Sequence, residues 1–119
     1  MESELKFSLK RKERPVVLEL DGVETPYSLK ELDGVGREAY FEYMDEQSVR
    51  DEQGKTSGFK SGTNLRIKLV SLCLYSADGS PVSVAVVGSF PGTVLKELDK
   101  VASELNGFGS ESVKAIEKK

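Results

Sequence analysis

At 119 residues the chain has the size of one small domain, with enough apolar residues (38%) for a modest core and enough charge (31%) for a well-solvated surface. A net charge of -3 gives no general reason to expect a phosphate-binding surface, and eleven glycines with four prolines indicate several turns rather than a low-complexity polymer. The longest apolar stretch, Leu65 to Tyr75, is far shorter than a membrane span and contains Arg66 and Lys68. With no apolar signal core at the N-terminus, neither export nor membrane insertion is expected.

Residues 1–14 are expected to form a flexible charged arm. Lys10, Arg11, Lys12 and Arg14 make a local basic run, but Glu13 interrupts it and no aromatic residues interleave for base stacking, so a solvated arm is favoured over a nucleic-acid contact. The globular domain is expected over residues 15–108. Val16, Val17, Leu18 and Leu20 predict a short apolar strand, Asp21-Gly22 is a preferred two-residue turn pair, and Tyr27 and Leu29 alternate with polar neighbours as a returning strand does. Such a hairpin is marginal alone and must lay one side on other elements.

After a breaker at Asp33, Gly34, Val35 and Gly36, a helix is predicted from Arg37 to about Arg50. Tyr40, Tyr43, Met44 and Gln47 recur at helical spacing and are expected to pack on the hairpin, with Phe41 off that face as a candidate second contact. Glu38, Glu42, Asp45 and Glu46 read as its solvated side. Asp51 to Gly58 has no apolar residue and predicts a mobile loop. Ser61 or Thr63 then caps a helix expected to run to about Ser76, where Asp78-Gly79 and Pro81 stop it. Leu65, Leu69, Leu72 and Cys73 form one apolar stripe on it, and Ile67, Val70 and Leu74 a second, roughly opposite. A helix apolar on two sides needs two partners: either it is central and wrapped by its own chain, or another subunit or client covers one stripe. A buried strand within Ile67 to Tyr75 is the alternative, since many of these residues favour β structure.

Val82 to Val87 is β-branched and predicts a brief strand or an extended connector. Pro91 suits a helix start, and Val94, Leu95, Leu98, Val101, Ala102 and Leu105 form the cleanest apolar stripe in the chain. Asn106-Gly107 ends this helix and allows Phe108 to fold back on its last turn. Residues 109–119, with only Val113 and Ile116 as anchors, predict a polar tail or a loosely docked helix. The expected fold class is therefore α+β, mainly helical, with an N-terminal hairpin packed on three or four helices. The candidate partner-binding residues are Ile67, Val70, Leu74, Leu95, Leu98, Val101, Leu105 and Phe108.

Catalysis has little to work with. The chain contains no histidine, which removes the side chain best suited to proton transfer near neutrality and the commonest metal ligand. Cys73, the single cysteine, cannot form an internal disulfide, lies among leucines and lacks an activating base, and no phosphate-cradling glycine loop is present. No enzyme activity, catalytic residue, cofactor or metal is expected.

The order of these pieces carries a resemblance. Leu20-Asp21-Gly22 with Tyr27-Ser28-Leu29 and Glu31-Leu32, then Leu69 to Tyr75 followed by Ala77-Asp78-Gly79 and Pro81-Val82, resembles the tail assembly chaperones of long-tailed, siphovirus-type bacteriophages. Phe90-Pro91 leading into Val94-Leu95, Leu98 and Leu105-Asn106-Gly107 is similar to the last helix and its stop in that family. The resemblance implies a late, non-enzymatic phage or prophage protein of the host bacterial cytoplasm, absent from the mature virion. Its implied partners are the tape measure protein and the tail tube protein, with self-association possible in principle and neither nucleic acid nor membrane involved. It also implies a longer form made by ribosomal frame slippage, with which the paired Lys118-Lys119 is compatible. The alternative is a small cytoplasmic adaptor or regulatory module that binds one partner in a fixed ratio.

Overall fold

The computed structural model describes residues 4–108, so the expected polar tail at 109–119, with Val113, Ile116 and the lysine pair, lies outside the described residues. Strand β1 (Glu13–Leu20) and strand β2 (Val23–Lys30) form an antiparallel hairpin in continuous register from Glu13 opposite Lys30 to Leu20 opposite Val23. Asp21 and Gly22 form the turn at φ 52° and 80°. Two consecutive left-handed residues match the right-handed twist of the flanking strands, which is why this residue pair suits the position.

Pairing extends below the expected domain start. The Glu31 N–H donates to the Lys12 carbonyl at 2.8 Å, the Lys12 N–H donates to Glu31 Oε1 at 2.7 Å, and Arg11 Nε donates to the Glu31 carbonyl at 2.7 Å. The Arg11 guanidinium also lies 5.6 Å from the centre of the Tyr75 ring. Part of the basic run is thus built into the base of the sheet, and β1 begins inside the segment expected to be a free arm.

Helix α1 (Gly34–Gln47) starts earlier than expected. Asp33 is its cap and accepts from the Gly36 N–H at 2.7 Å, so the apparent breaker is the first turn. The turn is tight at Gly36, where a Cβ would stand 3.2 Å from Asp33 Oδ1 and 3.3 Å from Leu32 Cδ2. The helix packs on α2 rather than on the hairpin. It ends at Gln47, and Ser48–Arg50 becomes strand β3, paired with β4 (Thr56–Phe59). The stretch expected to be a mobile loop is therefore the end of this second hairpin. Asp51 Oδ1 accepts from the Gln53 and Lys55 N–H groups, each at 2.9 Å, and organises its turn.

Helix α2 (Gly62–Cys73), capped by Ser61, stops three residues short of the expected end. Leu74–Ser76 forms β5 instead and pairs antiparallel with β2, Leu74 opposite Leu29 and Ser76 opposite Tyr27, giving the sheet order β1-β2-β5. Val84–Gly88, expected to be extended, is a short helix, α3: Ser83 accepts from the Val86 N–H at 3.3 Å, and Val87 is buried on α2. Helix α4 (Gly92–Leu105) follows Pro91 as expected. Its stop is a Schellman motif, with the Phe108 N–H on the Ser103 carbonyl at 2.7 Å, the Gly107 N–H on the Glu104 carbonyl at 3.2 Å, and Gly107 at φ 74°.

Among the described residues helix accounts for 43% and strand for 26%, a mixed α/β architecture of four helices with a sheet that contains the N-terminal hairpin. Helix α2 is central and touches α1, α3, α4 and β2. Leu29, Leu69, Val70, Cys73, Leu74 and Val87 are essentially fully buried around it.

One polar side chain ties this core together. Asn106 Oδ1 accepts from the Leu32 N–H at 2.8 Å, while its Nδ2 donates to the Ala102 carbonyl at 2.8 Å and lies 3.6 Å from Cys73 Sγ. Asn106→Ala leaves the part-buried Leu32 N–H without its acceptor and is expected to cost about 1–3 kcal/mol. Urea unfolding followed by circular dichroism measures this, and an unchanged midpoint would show that the link contributes nothing.

Candidate functional site

The sheet has two unlike faces. On one, Val16, Leu18, Tyr27, Leu29 and Leu74 point toward the helices; on the other, Glu13, Val17, Glu19, Glu24 and Lys30 point to solvent. Strand β5 pairs only with the Tyr27–Leu29 end of β2, so the distal half of the hairpin extends beyond the third strand. Val17, Leu20 and Val23 are 60%, 76% and 66% exposed there. Between this overhang and the first half of α4 lies an open groove of about 840 Å³. Leu18, Leu20 and Tyr27 form one wall, Phe90 and Val94 the other, and Leu98 lies at its base.

A second apolar surface lies at the far end of α4. Phe108 folds back and stacks on Tyr40, ring centres 5.9 Å apart at 23°, with Phe41 5.7 Å away. The Arg37 guanidinium lies over both phenylalanine rings, 4.7 Å from Phe108 and 5.2 Å from Phe41. Phe41, expected to make a second contact, is 44% exposed on this patch.

The structure divides the eight candidate partner-binding residues. Val70, Leu74, Leu95 and Leu98 are inside the core of this chain, and only Leu98 of these also borders the groove. Ile67, Val101, Leu105 and Phe108 are half-buried around the core. Of the two apolar stripes, Leu69, Cys73, Val70 and Leu74 are buried by the chain itself, while Leu65, Leu72 and Ile67 are half-buried. Sequence reading did not single out the groove. The hairpin shows one wall of it, in an apolar alternation that continues to the turn, but the other wall comes from α4 and no single element reveals the groove.

The thiol and the phenol inside the fold are held in their neutral forms near neutrality. Burial pushes the Cys73 thiol up to about 11, an effect reduced by the Asn106 amide, and burial pushes the Tyr40 hydroxyl up to about 12, with Asp99 adding to it. The thiol is therefore a packed apolar group rather than a nucleophile. Asp99 is raised by burial, partly offset by Arg66 at 3.9 Å. Among the described residues, no group of three or more histidine, cysteine or carboxylate side chains is placed to hold a metal ion, and no helix is long and apolar enough to cross a membrane.

No family model matches this sequence, and no curated protein matches it. Among solved structures, the chain is similar to the bacteriophage HK97 tail assembly chaperone, with a TM-score of 0.54 over 80% of this chain and 85% of that one. The two share this fold. Sequence identity is 20%, so the likeness is one of architecture, and it agrees with the resemblance carried by the order of turns and apolar runs.

The buried thiol and phenol generate a pH dependence of definite sign. In the unfolded chain they ionise near 9 and 10, in the folded chain near 11 and 12, so between these values the unfolded state binds fewer protons and stability falls as pH rises. Each group contributes about 2–3 kcal/mol to the fall by the top of its window. Urea midpoints from pH 8 to 11 should decline from about pH 9, and Cys73→Ala should remove the earlier part of the decline. A Cys73→Ala profile parallel to that of the parent chain would contradict the burial assigned to the thiol.

Proposed function

We propose that this protein is a tail assembly chaperone of a siphovirus-type bacteriophage or prophage, made late in infection and acting without catalysis in the host cytoplasm. Its client is the tape measure protein: the chaperone covers apolar stripes of that long helical chain, promotes assembly of tail tube subunits around it, and leaves before the virion is complete. The observation that carries this reading is the fold shared with the HK97 tail assembly chaperone across four fifths of the chain. The residues support it, because an acidic domain that presents apolar surface from a rigid core can mask a client's stripe while adding charge. We assign the client contact to the half-buried end of α4, with Val101 and Leu105, and to the Phe108 that follows it and packs with Phe41 and Arg37.

Co-expression with the tape measure protein of the same genome is expected to keep that protein soluble and to yield a purified complex. Phe41→Glu, at a position already 44% exposed, should weaken the complex at least tenfold while leaving the melting temperature within a few degrees. Infection with the gene deleted should give heads without tails. Normal tails from the deletion would overturn the proposed function, whereas intact client binding by Phe41→Glu would overturn only the assigned surface.

A further inference from the structure

The segment before β1 carries a pattern that its own chain does not use. Leu5, Phe7 and Leu9 alternate with Lys6, Ser8 and Lys10, the period of a half-buried strand, yet no strand is formed there and the three apolar side chains are 85%, 78% and 98% exposed. A strand pattern exposed to this degree lacks its partner within the chain. The molecule also presents an incomplete acceptor: β1 is an edge strand, and beside its Val16–Leu20 half lies the apolar groove. We propose that the segment Leu5–Lys10 is a donor strand that docks along the free edge of β1 in a second copy of this chain, laying Leu5, Phe7 and Leu9 over that copy's groove.

One observation selects a second copy rather than the segment's own groove, and two more fit the segment to that edge. The first is direction. Hydrogen bonding between Lys12 and Glu31 continues the hairpin beyond its base, so the preceding residues lead away from the turn, whereas the groove lies beneath the turn-proximal half. Return to it would require a reversal next to Arg11, in a stretch from Glu4 to Glu13 that contains neither glycine nor proline. The second is charge. Glu19 and Glu24 stand directly opposite each other on the solvent face of the hairpin, and neither takes part in an ion pair among the described residues. Like charges in that relation are destabilising. With Leu5, Phe7 and Leu9 turned toward the groove, Lys6 and Lys10 fall on the face that carries Glu19.

The third is the edge itself. Pro15 blunts β1 near its base, where its nitrogen has no proton to donate, but Val16, Val17, Leu18 and Leu20 continue to the turn without another proline. Main-chain bonds to that edge supply affinity and the alternate side chains supply register, as in strand addition generally. A donor segment and an acceptor edge on the same chain make a heterologous contact, which each further copy can extend.

The test uses the purified full chain without any client, so its outcome is separate from that of the proposed function. Sedimentation across a concentration series should show self-association in the parent protein, weakened at least tenfold by Phe7→Glu and by Leu18→Lys in chains whose circular dichroism is unchanged. Equimolar mixing of these two variants should restore a complex of two, because one retains the acceptor and the other the donor. Lys6→Glu with Lys10→Glu changes only exposed side chains; it should weaken association, and a chain carrying Glu19→Lys should rescue it when mixed in. A parent protein that remains monomeric at millimolar concentration, or a Phe7→Glu chain that associates as the parent does, would overturn the proposal.

Discussion

The fold depends on Asn106, a polar residue at the point where α4 ends, α1 begins and α2 turns into strand. Its amide satisfies the Leu32 N–H, which belongs to neither β2 nor α1, and it donates back to the last turn of α4 while facing the Cys73 sulfur. A part-buried main-chain N–H without an acceptor is costly, and no helix or strand bond is available at Leu32 to remove that cost. The Schellman motif immediately after Asn106 fixes where Phe108 goes, and Phe108 stacks on Tyr40 of α1. The two ends of the domain, seventy-four residues apart at Leu32 and Asn106, are thereby held by one amide and one ring.

This arrangement explains which parts of the fold were legible in the amino-acid sequence. The first hairpin, the start of α4 and its stop each depend on a few adjacent residues whose backbone preferences agree: Asp21-Gly22, Pro91, and Asn106-Gly107. The boundary at Leu74 was not legible, because nothing local distinguishes it. Leu74 leaves the helix to pair with Leu29, a residue far away in the chain, and the benefit lies in burying both side chains completely. Val84–Gly88, within and just past the Val82 to Val87 stretch expected to be extended, differs for the opposite reason. Its β-branched residues favour extended structure locally, but the Ser83 cap and the burial of Val87 against α2 outweigh a preference of only tenths of a kcal/mol per residue.

The same distinction applies to the surfaces. Helical periodicity identified stripes on α2 and α4 as apolar, and they are; periodicity does not say whether a stripe meets the chain's own core or another molecule. The central position of α2 decides this for Val70 and Leu74, which have no exposed area left. For Val101, Leu105 and Phe108 it leaves a partial surface at the end of α4. The groove beneath the hairpin was only half visible in any one element, since its walls come from strands and a helix separated by most of the domain.

What remains exposed after folding is informative because the core has used so much of the apolar content. The large apolar side chains with the greatest exposure are Leu5, Phe7 and Leu9 in the N-terminal segment, Leu20 and Val23 beside the hairpin turn, and Val35 at the start of α1. Isolated exposed apolar residues such as Val35 are ordinary. A run at alternate positions and a hairpin tip above an open apolar groove are not isolated, and leaving them in water forgoes burial worth roughly 25 cal/mol per Å² of surface. The interior is therefore complete within one chain, while the sheet is not: it has an unpaired edge, an uncompensated pair of glutamates beside that edge, and a nearby segment of matching period and opposite charge.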